Sequence, residues 1–131
     1  MEDSIFTKII NREIPADIIA ENENFIAFLD VFPLAKGHTL IVPKKQVDYI
    51  FKMDDELLAA LHVFSKKVAL AIEKTIPCKR IGTAVIGLEV PHTHIHLVPI
   101  NNVSDIDFSR EKLNINKEEL FEISQKIKSN L

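Results

Sequence analysis

Apolar residues along this chain recur with two different periods, and the places where the period changes divide it into helices and strands. Phe6, Ile9 and Ile10 stand at helical spacing behind Ser4, whose hydroxyl can cap a first turn, so a short helix is expected over residues 5–11. Pro15 then turns the chain. Residues 17–21 and 25–30 read as a strand hairpin around the polar tip Asn22-Glu23-Asn24. After a connection over 32–37, residues 38–42 form a third strand, which Pro43 ends because proline cannot donate to a ladder. The longest helical pattern covers 54–74. Asp54, Asp55 and Glu56 open it where the helix dipole favours negative charge, and Leu57, Leu61, Phe64, Val68, Ala71 and Ile72 make its apolar stripe. His62 lies one position off that stripe and is expected at the surface. Two further strands are expected over 81–88 and 92–100, and a last helix over 117–129. Asn116 with Glu119 three residues on has the spacing of a capping box. Strands in the middle with helices on either side predict an antiparallel α+β fold. One domain is expected over residues 1–131, its core over about 4–100 and a C-terminal extension with the last helix over about 101–131.

Composition narrows the function by exclusion. A net charge of −3 over 131 residues lacks the basic footprint of a nucleic-acid-binding domain. Cys78 is the single cysteine, so neither an internal disulfide nor a four-cysteine zinc site can form, and a half-buried thiol without a role is expected there. With three glycines, Gly37, Gly82 and Gly87, neither a Walker loop nor a dinucleotide fingerprint can be assembled. No apolar run approaches the ~20 residues of a membrane span, and the acidic start is unlike a leader, so a cytoplasmic protein without membrane or nucleic-acid partners is expected.

What remains is a concentration of histidine. Three of the five histidines fall at alternate positions of Pro91-His92-Thr93-His94-Ile95-His96-Leu97-Val98-Pro99. In an extended strand they would leave one face as a row of imidazoles. One use of such a row is metal ligation, for a pair of them with His38. All three binding one ion is disfavoured, since residues four apart on a strand are roughly 13 Å apart and zinc–nitrogen bonds are near 2 Å. The other use is nucleophilic catalysis at phosphorus by the middle histidine. It needs one ring nitrogen tied down as a donor and the other unprotonated. Neighbouring imidazolium charges disfavour one another, so the row resists full protonation.

The segment His92-Thr93-His94-Ile95-His96-Leu97-Val98 closely resembles the His-x-His-x-His-x-x signature of the histidine triad (HIT) family, in particular its Hint-like branch of nucleoside phosphoramidases. Ile5-Phe6-Thr7-Lys8-Ile9-Ile10 with Glu13-Ile14-Pro15, Phe28-Leu29-Asp30, and Gly37-His38-Thr39-Leu40-Ile41-Val42-Pro43-Lys44-Lys45 resemble that family's opening helix and middle strands. The resemblance implies a homodimeric HIT-like fold that needs no cofactor or metal. It implies hydrolysis of a purine nucleoside 5′-phosphoramidate or related phosphoanhydride through a nucleotidyl-histidine on His94. His96 would then contact phosphate or leaving group, with His92 and His38 as relay partners. Asp30 would grip the ribose hydroxyls, and Phe6, Ile9, Phe28 and Val31 would line the base cleft. A dinucleoside polyphosphate hydrolase of the Fhit type, or a non-catalytic nucleotide- or metal-binding module, is the alternative. Many relatives carry a Gly-Gln-Ser or Gly-Gln-Thr approach to the triad, whereas this chain reads Gly87-Leu88-Glu89-Val90-Pro91. That puts Glu89 on the phosphate side, where a carboxylate repels phosphate unless it turns away or meets a cation.

Overall fold

The computed structural model describes residues 2–131. Helix α1 (Ile5–Ile10) is followed by strands β1 (Ile18–Glu21), β2 (Phe25–Leu29) and β3 (Thr39–Pro43). The long helix α2 (Asp55–Thr75) leads into β4 (Arg80–Ala84) and β5 (Ile95–Ile100), and α3 (Lys117–Ser129) closes the chain. The five strands form one sheet in the order β1-β2-β3-β5-β4, and every neighbouring pair is antiparallel.

Strand alternation sorts the sheet's side chains onto two faces. Phe25, Ala27 and Leu29 of β2, Ile41 of β3, and Ile95 and Leu97 of β5 pack with Leu61, Phe64, Val68, Ala71 and Ile72 of α2 and with Leu120, Ile123 and Ile127 of α3. Ile26 and Phe28 of β2, with Leu40 and Val42 of β3, turn to the opposite face and meet Phe6 and Ile9 of α1. The register pairs Phe28 with Leu40 and Leu40 with His96, so β5 presents His96 on this second face. Helices α2 and α3 thus take one side of the sheet, and α1 shares the other with the histidines.

The helix starts follow the expected chemistry. Ser4 accepts from the Thr7 amide, Asp54 from Leu57, and Asn116 from Glu119. Asn116 caps α3 from one side only, because the Glu119 carboxylate reaches Lys36 at 2.5 Å instead of closing a capping box. His62 is exposed, and Cys78 is half-buried.

Two expected strands are shorter than their apolar patterns. The ladder between β3 and β5 ends at the pair Ile41–Ile95. One step on, Pro43 has no amide hydrogen to offer, and the Thr93 amide donates instead to the Val47 carbonyl at 2.7 Å. His92 and His94 therefore lie in an irregular segment ahead of β5, not within a strand over 92–100. Pairing of β4 with β5 ends at Ala84–His96, one pair before β5 runs out at Ile95, so residues 85–88 leave the sheet and Leu88 is exposed.

Candidate active site

The three histidines of the row and His38 reach the site by three different routes. His96 is carried by β5 on the face shared with Leu40 and Phe28. His38 precedes β3 at the end of a tight loop. Gly37 makes that loop possible with φ of 92°, and a Cβ there would meet Ile76 Cγ1 at 2.8 Å. His92 and His94 are aimed by side-chain and backbone bonds in place of a ladder. All four are buried or nearly so, with His38 at 1%, His92 at 0%, and His94 and His96 at 8% exposure. Despite the broken strand the rings of His94, His96 and His38 follow one another in contact. His94 and His96 are 4.9 Å apart between centroids, and His38 and His96 are 5.2 Å apart.

Backbone groups determine which nitrogen carries each proton, since an amide can only donate and a carbonyl can only accept. The Leu34 amide donates to His38 Nδ1 at 3.0 Å, so the His38 proton sits on Nε2 and is donated to His96 Nδ1 at 2.9 Å. Neutral His96 then carries its own proton on Nε2. His92 Nε2 donates to the Pro43 carbonyl at 2.7 Å, and His94 Nδ1 donates to the His92 carbonyl at 2.7 Å. Burial holds the His38 ring down to about 4 and His96 down to about 3, with nearby positive charge adding to the effect. His92 is likewise lowered, chiefly by burial. Within these four rings two nitrogens are left without a partner among the described residues. They are Nε2 of His94, which offers a lone pair, and Nε2 of His96, which offers a hydrogen.

Asp30 follows β2 and turns its Oδ1 to the Phe32 amide at 2.9 Å, while Oδ2 lies 3.7 Å from His38 Nε2. Burial raises its pKa, partly offset by that amide. Asp30, His38 and His96 place potential ligand atoms within 4.8 Å of one another. A metal there would need a lone pair on His38 Nε2, and the Leu34 amide favours the tautomer that holds a proton at that atom. Phe6 packs edge-on against His94 at 4.9 Å and at a tilt against Phe28 at 5.7 Å, so the α1 cluster forms a wall beside the histidines. Ile9 and Phe28 are buried within that wall, while Val31, next to Asp30 in the chain, is 52% exposed. Glu89 is exposed in the segment before the row, and among the described residues it makes no ion pair.

Several residues at the site come from parts of the chain that carry no motif. Phe108 from the C-terminal extension stacks edge-on against His96 at 4.6 Å and His38 at 6.2 Å. Lys112 donates to the Phe108 carbonyl at 2.6 Å, and its charge lowers His38, His96 and Asp30. Ser4, Thr7 and Gln46 surround the far nitrogen of His92. A Phe-x-x-x-Lys spacing in a loop gives no sign of this placement. Only Ser4 stood out in the sequence, and as a helix cap.

Comparison with known proteins places this arrangement. Residues 11–103 match the family model described as the HIT domain. An uncharacterized HIT-like protein of Borreliella burgdorferi is 34% identical, with 100% of both chains covered. An adenosine 5′-monophosphoramidase of Saccharomyces cerevisiae is 36% identical over 72% of this chain and 61% of its own length. Among solved structures, a Hit-like protein from Bartonella henselae matches with a TM-score of 0.85 at 30% identity, covering 98% of this chain and 97% of that one.

Proposed function

The chain belongs to the histidine triad (HIT) family, and we propose that it hydrolyses or transfers nucleotides at the α-phosphate, with a purine nucleoside 5′-phosphoramidate as the preferred substrate class. The observation that carries this reading is the pair of unpartnered nitrogens, a lone pair on His94 beside an N–H on His96. The similarity to an adenosine 5′-monophosphoramidase supports the choice of leaving group. In the first step His94 Nε2 donates its electron pair to phosphorus. The bond from phosphorus to the leaving amine breaks, and its electrons depart with the nitrogen. A nucleotidyl-histidine results, held in place by the bond from Nδ1 to the His92 carbonyl. His96 Nε2–H donates to a phosphate oxygen or to the leaving group. The approaching phosphate also favours uptake of a proton by the otherwise neutral His38–His96 pair, and that proton is passed to the departing amine. Water then attacks phosphorus and gives its proton to the His38–His96 pair, the P–N bond to His94 breaks with its electrons returning to Nε2, and the nucleoside monophosphate leaves.

In this reading His92 and His38 orient the two reacting rings, and Asp30 accepts from the ribose hydroxyls. Phe6 and Val31 contact the base, with Ile9 and Phe28 packed behind them, and Glu89 stands near the leaving group. A substrate panel read by mass spectrometry tests the assignment. Adenosine and guanosine phosphoramidates are expected to turn over faster than dinucleoside polyphosphates. A reversed order makes the chain a Fhit-type hydrolase, and binding of AMP or GMP without turnover or adduct makes it a non-catalytic module. Stoichiometric zinc in protein purified without a histidine tag would argue for the metal-binding alternative. Asp30→Asn is expected to raise KM for nucleoside substrates by roughly tenfold, the loss of one charge-assisted hydrogen bond, with a smaller change in kcat. An unchanged KM would remove Asp30 from the ribose site.

The working unit is proposed to be a homodimer. Strand β4 is an edge of the sheet, unpaired on its outer side among the described residues; exposed Leu70 of α2 lines a cavity with Arg80 and Ile81 of β4, and exposed Val85 and Ile86 follow that strand. Sedimentation equilibrium is expected to return twice the chain mass. A monomer at micromolar concentration would refute it. No helix among the described residues is long and apolar enough to cross a membrane.

A further inference from the structure

We propose that Ser4 is a positioning residue for the reaction centre, the hydroxyl donor that holds His92 in the tautomer on which the placement of His94 depends. The kinetic part of this proposal rests on the function proposed above; the structural part does not.

His92 is fully buried, so both of its ring nitrogens need partners from the protein. Nε2 faces the Pro43 carbonyl at 2.7 Å and must carry a hydrogen. Neutral His92 then has a bare Nδ1 that requires a donor, and two hydroxyls stand near it. Their hydrogens can be assigned from the surrounding amides. Gln46 Nε2 donates to the carbonyls of Glu2 and Pro91 at 3.1 and 3.3 Å, which orients the Gln46 side chain. Its Oε1 accepts from the Ser4 amide at 3.0 Å and from the Thr7 hydroxyl at 2.9 Å. The single hydroxyl hydrogen of Thr7 is thereby used, and Thr7 Oγ1 is 3.4 Å from His92 Nδ1. Ser4 Oγ accepts the Thr7 amide at 3.0 Å and lies 2.6 Å from His92 Nδ1, so its hydrogen goes to the ring. Ser4 is therefore the donor, and this network leaves no second one in place.

The consequence reaches the nucleophile through the backbone. Ser4 and Pro43 clamp the His92 ring from opposite edges, and the carbonyl of that same residue accepts from His94 Nδ1 at 2.7 Å. The ladder does not extend to residues 92–94, so side-chain bonds do the work that strand pairing does for His96. Without the Ser4 hydroxyl, Nδ1 becomes a buried acceptor with no donor, and the ring must protonate, flip or shift. A flip or shift moves the carbonyl that aims His94, and protonation puts a positive charge beside the nucleophile's ring. Ser4 also lies outside the residues 11–103 that match the family model, which leaves this support to the N-terminal segment of this chain.

Ser4 also caps α1, and a test must separate the two roles. Ser4→Thr keeps both the cap and the donor. Ser4→Asp keeps the cap, since Asp is among the best N-cap residues, but its carboxylate can only accept. Ser4→Ala loses both. Nitrogen-15 NMR of histidine-labelled full-length protein reads the His92 tautomer directly. Wild type and Ser4→Thr are expected to show a bare Nδ1 and a protonated Nε2, and Ser4→Asp a protonated Nδ1. With a nucleoside phosphoramidate as substrate, Ser4→Thr should match wild type. Ser4→Asp and Ser4→Ala should lose roughly ten- to a hundredfold in kcat, the scale of a misplaced reacting group, with KM little changed. Folded Ser4→Asp with wild-type nitrogen signals and wild-type kcat would overturn the proposal. Should Ser4→Asp fail to fold, unchanged His92 signals in Ser4→Ala would overturn it equally. If wild type turns over no nucleotide at all, the functional reading fails while the NMR arm still decides the role of Ser4.

Discussion

His94→Ala is expected to lower kcat on a nucleoside phosphoramidate by about a thousandfold or more, the usual result when a covalent nucleophile is removed. That factor corresponds to at least about 4 kcal/mol of transition-state stabilisation. The size of the effect follows from the hydrogen-bond assignments. His96 Nε2 holds a hydrogen, His38 and His92 have both nitrogens engaged, and no neighbouring ring can substitute as nucleophile without breaking a buried bond. The substitution also removes the Phe6 edge contact and the bond to the His92 carbonyl. Some destabilisation is therefore expected, of the order of 1–3 kcal/mol. Nucleotide affinity separates the two effects, because a folded variant that still binds AMP while losing turnover has lost chemistry. Quenching wild type in mid-turnover should trap an acid-labile nucleotide on the protein, and His94→Ala should trap none. Full turnover in the variant would end the assignment of His94.

Much of this site can be read from residue order, and the part that cannot has a physical reason. The period-2 histidine row and the helical stripe of α2 are local patterns, and α3 spans the residues its periodicity predicts. The order of strand and triad motifs suffices for the family, because the features that carry it are contiguous. Strand ends are less legible. The apolar alternation runs on past Ile95 toward His92, but the ladder stops where Pro43 has no hydrogen to give, and only the β3–β5 register reveals that these residues face each other. Supports drawn from distant segments are not legible at all. Ser4 and His92 are 88 positions apart, and Phe108 meets His38 across a fold that brings the C-terminal extension back over the site. The same limit applies to Glu89, whose position before the row suggests proximity to phosphate although its side chain is exposed.

Acid is expected to unfold this protein by way of the same histidines. A group whose folded pKa is depressed takes up its proton first in the unfolded chain, so stability falls as pH drops below the unfolded value. For His38 that window runs from the ordinary 6.5 down to about 4, and for His96 down to about 3, with His92 moving in the same direction. Within it each ring contributes a slope approaching about 1.4 kcal/mol per pH unit, and His38 alone costs roughly 3 kcal/mol by pH 4. Total stabilities of ~5–15 kcal/mol are typical, so His38 and His96 together are enough to bring the folded state near its limit. Asp30 acts in the opposite sense. Its raised pKa means that the folded state gains a proton early and is relieved by it, so the histidine effect is read most clearly at the upper end of the window. Urea denaturation at pH 7, 6 and 5 should show the midpoint falling steeply over these steps with little change in m. His38→Asn should flatten the dependence by about one proton, whatever its stability at pH 7. A wild-type midpoint that does not move between pH 7 and 5 would mean that these rings are not held neutral by burial. The proton bookkeeping assigned to His38 and His96 in the active site would then fail with it.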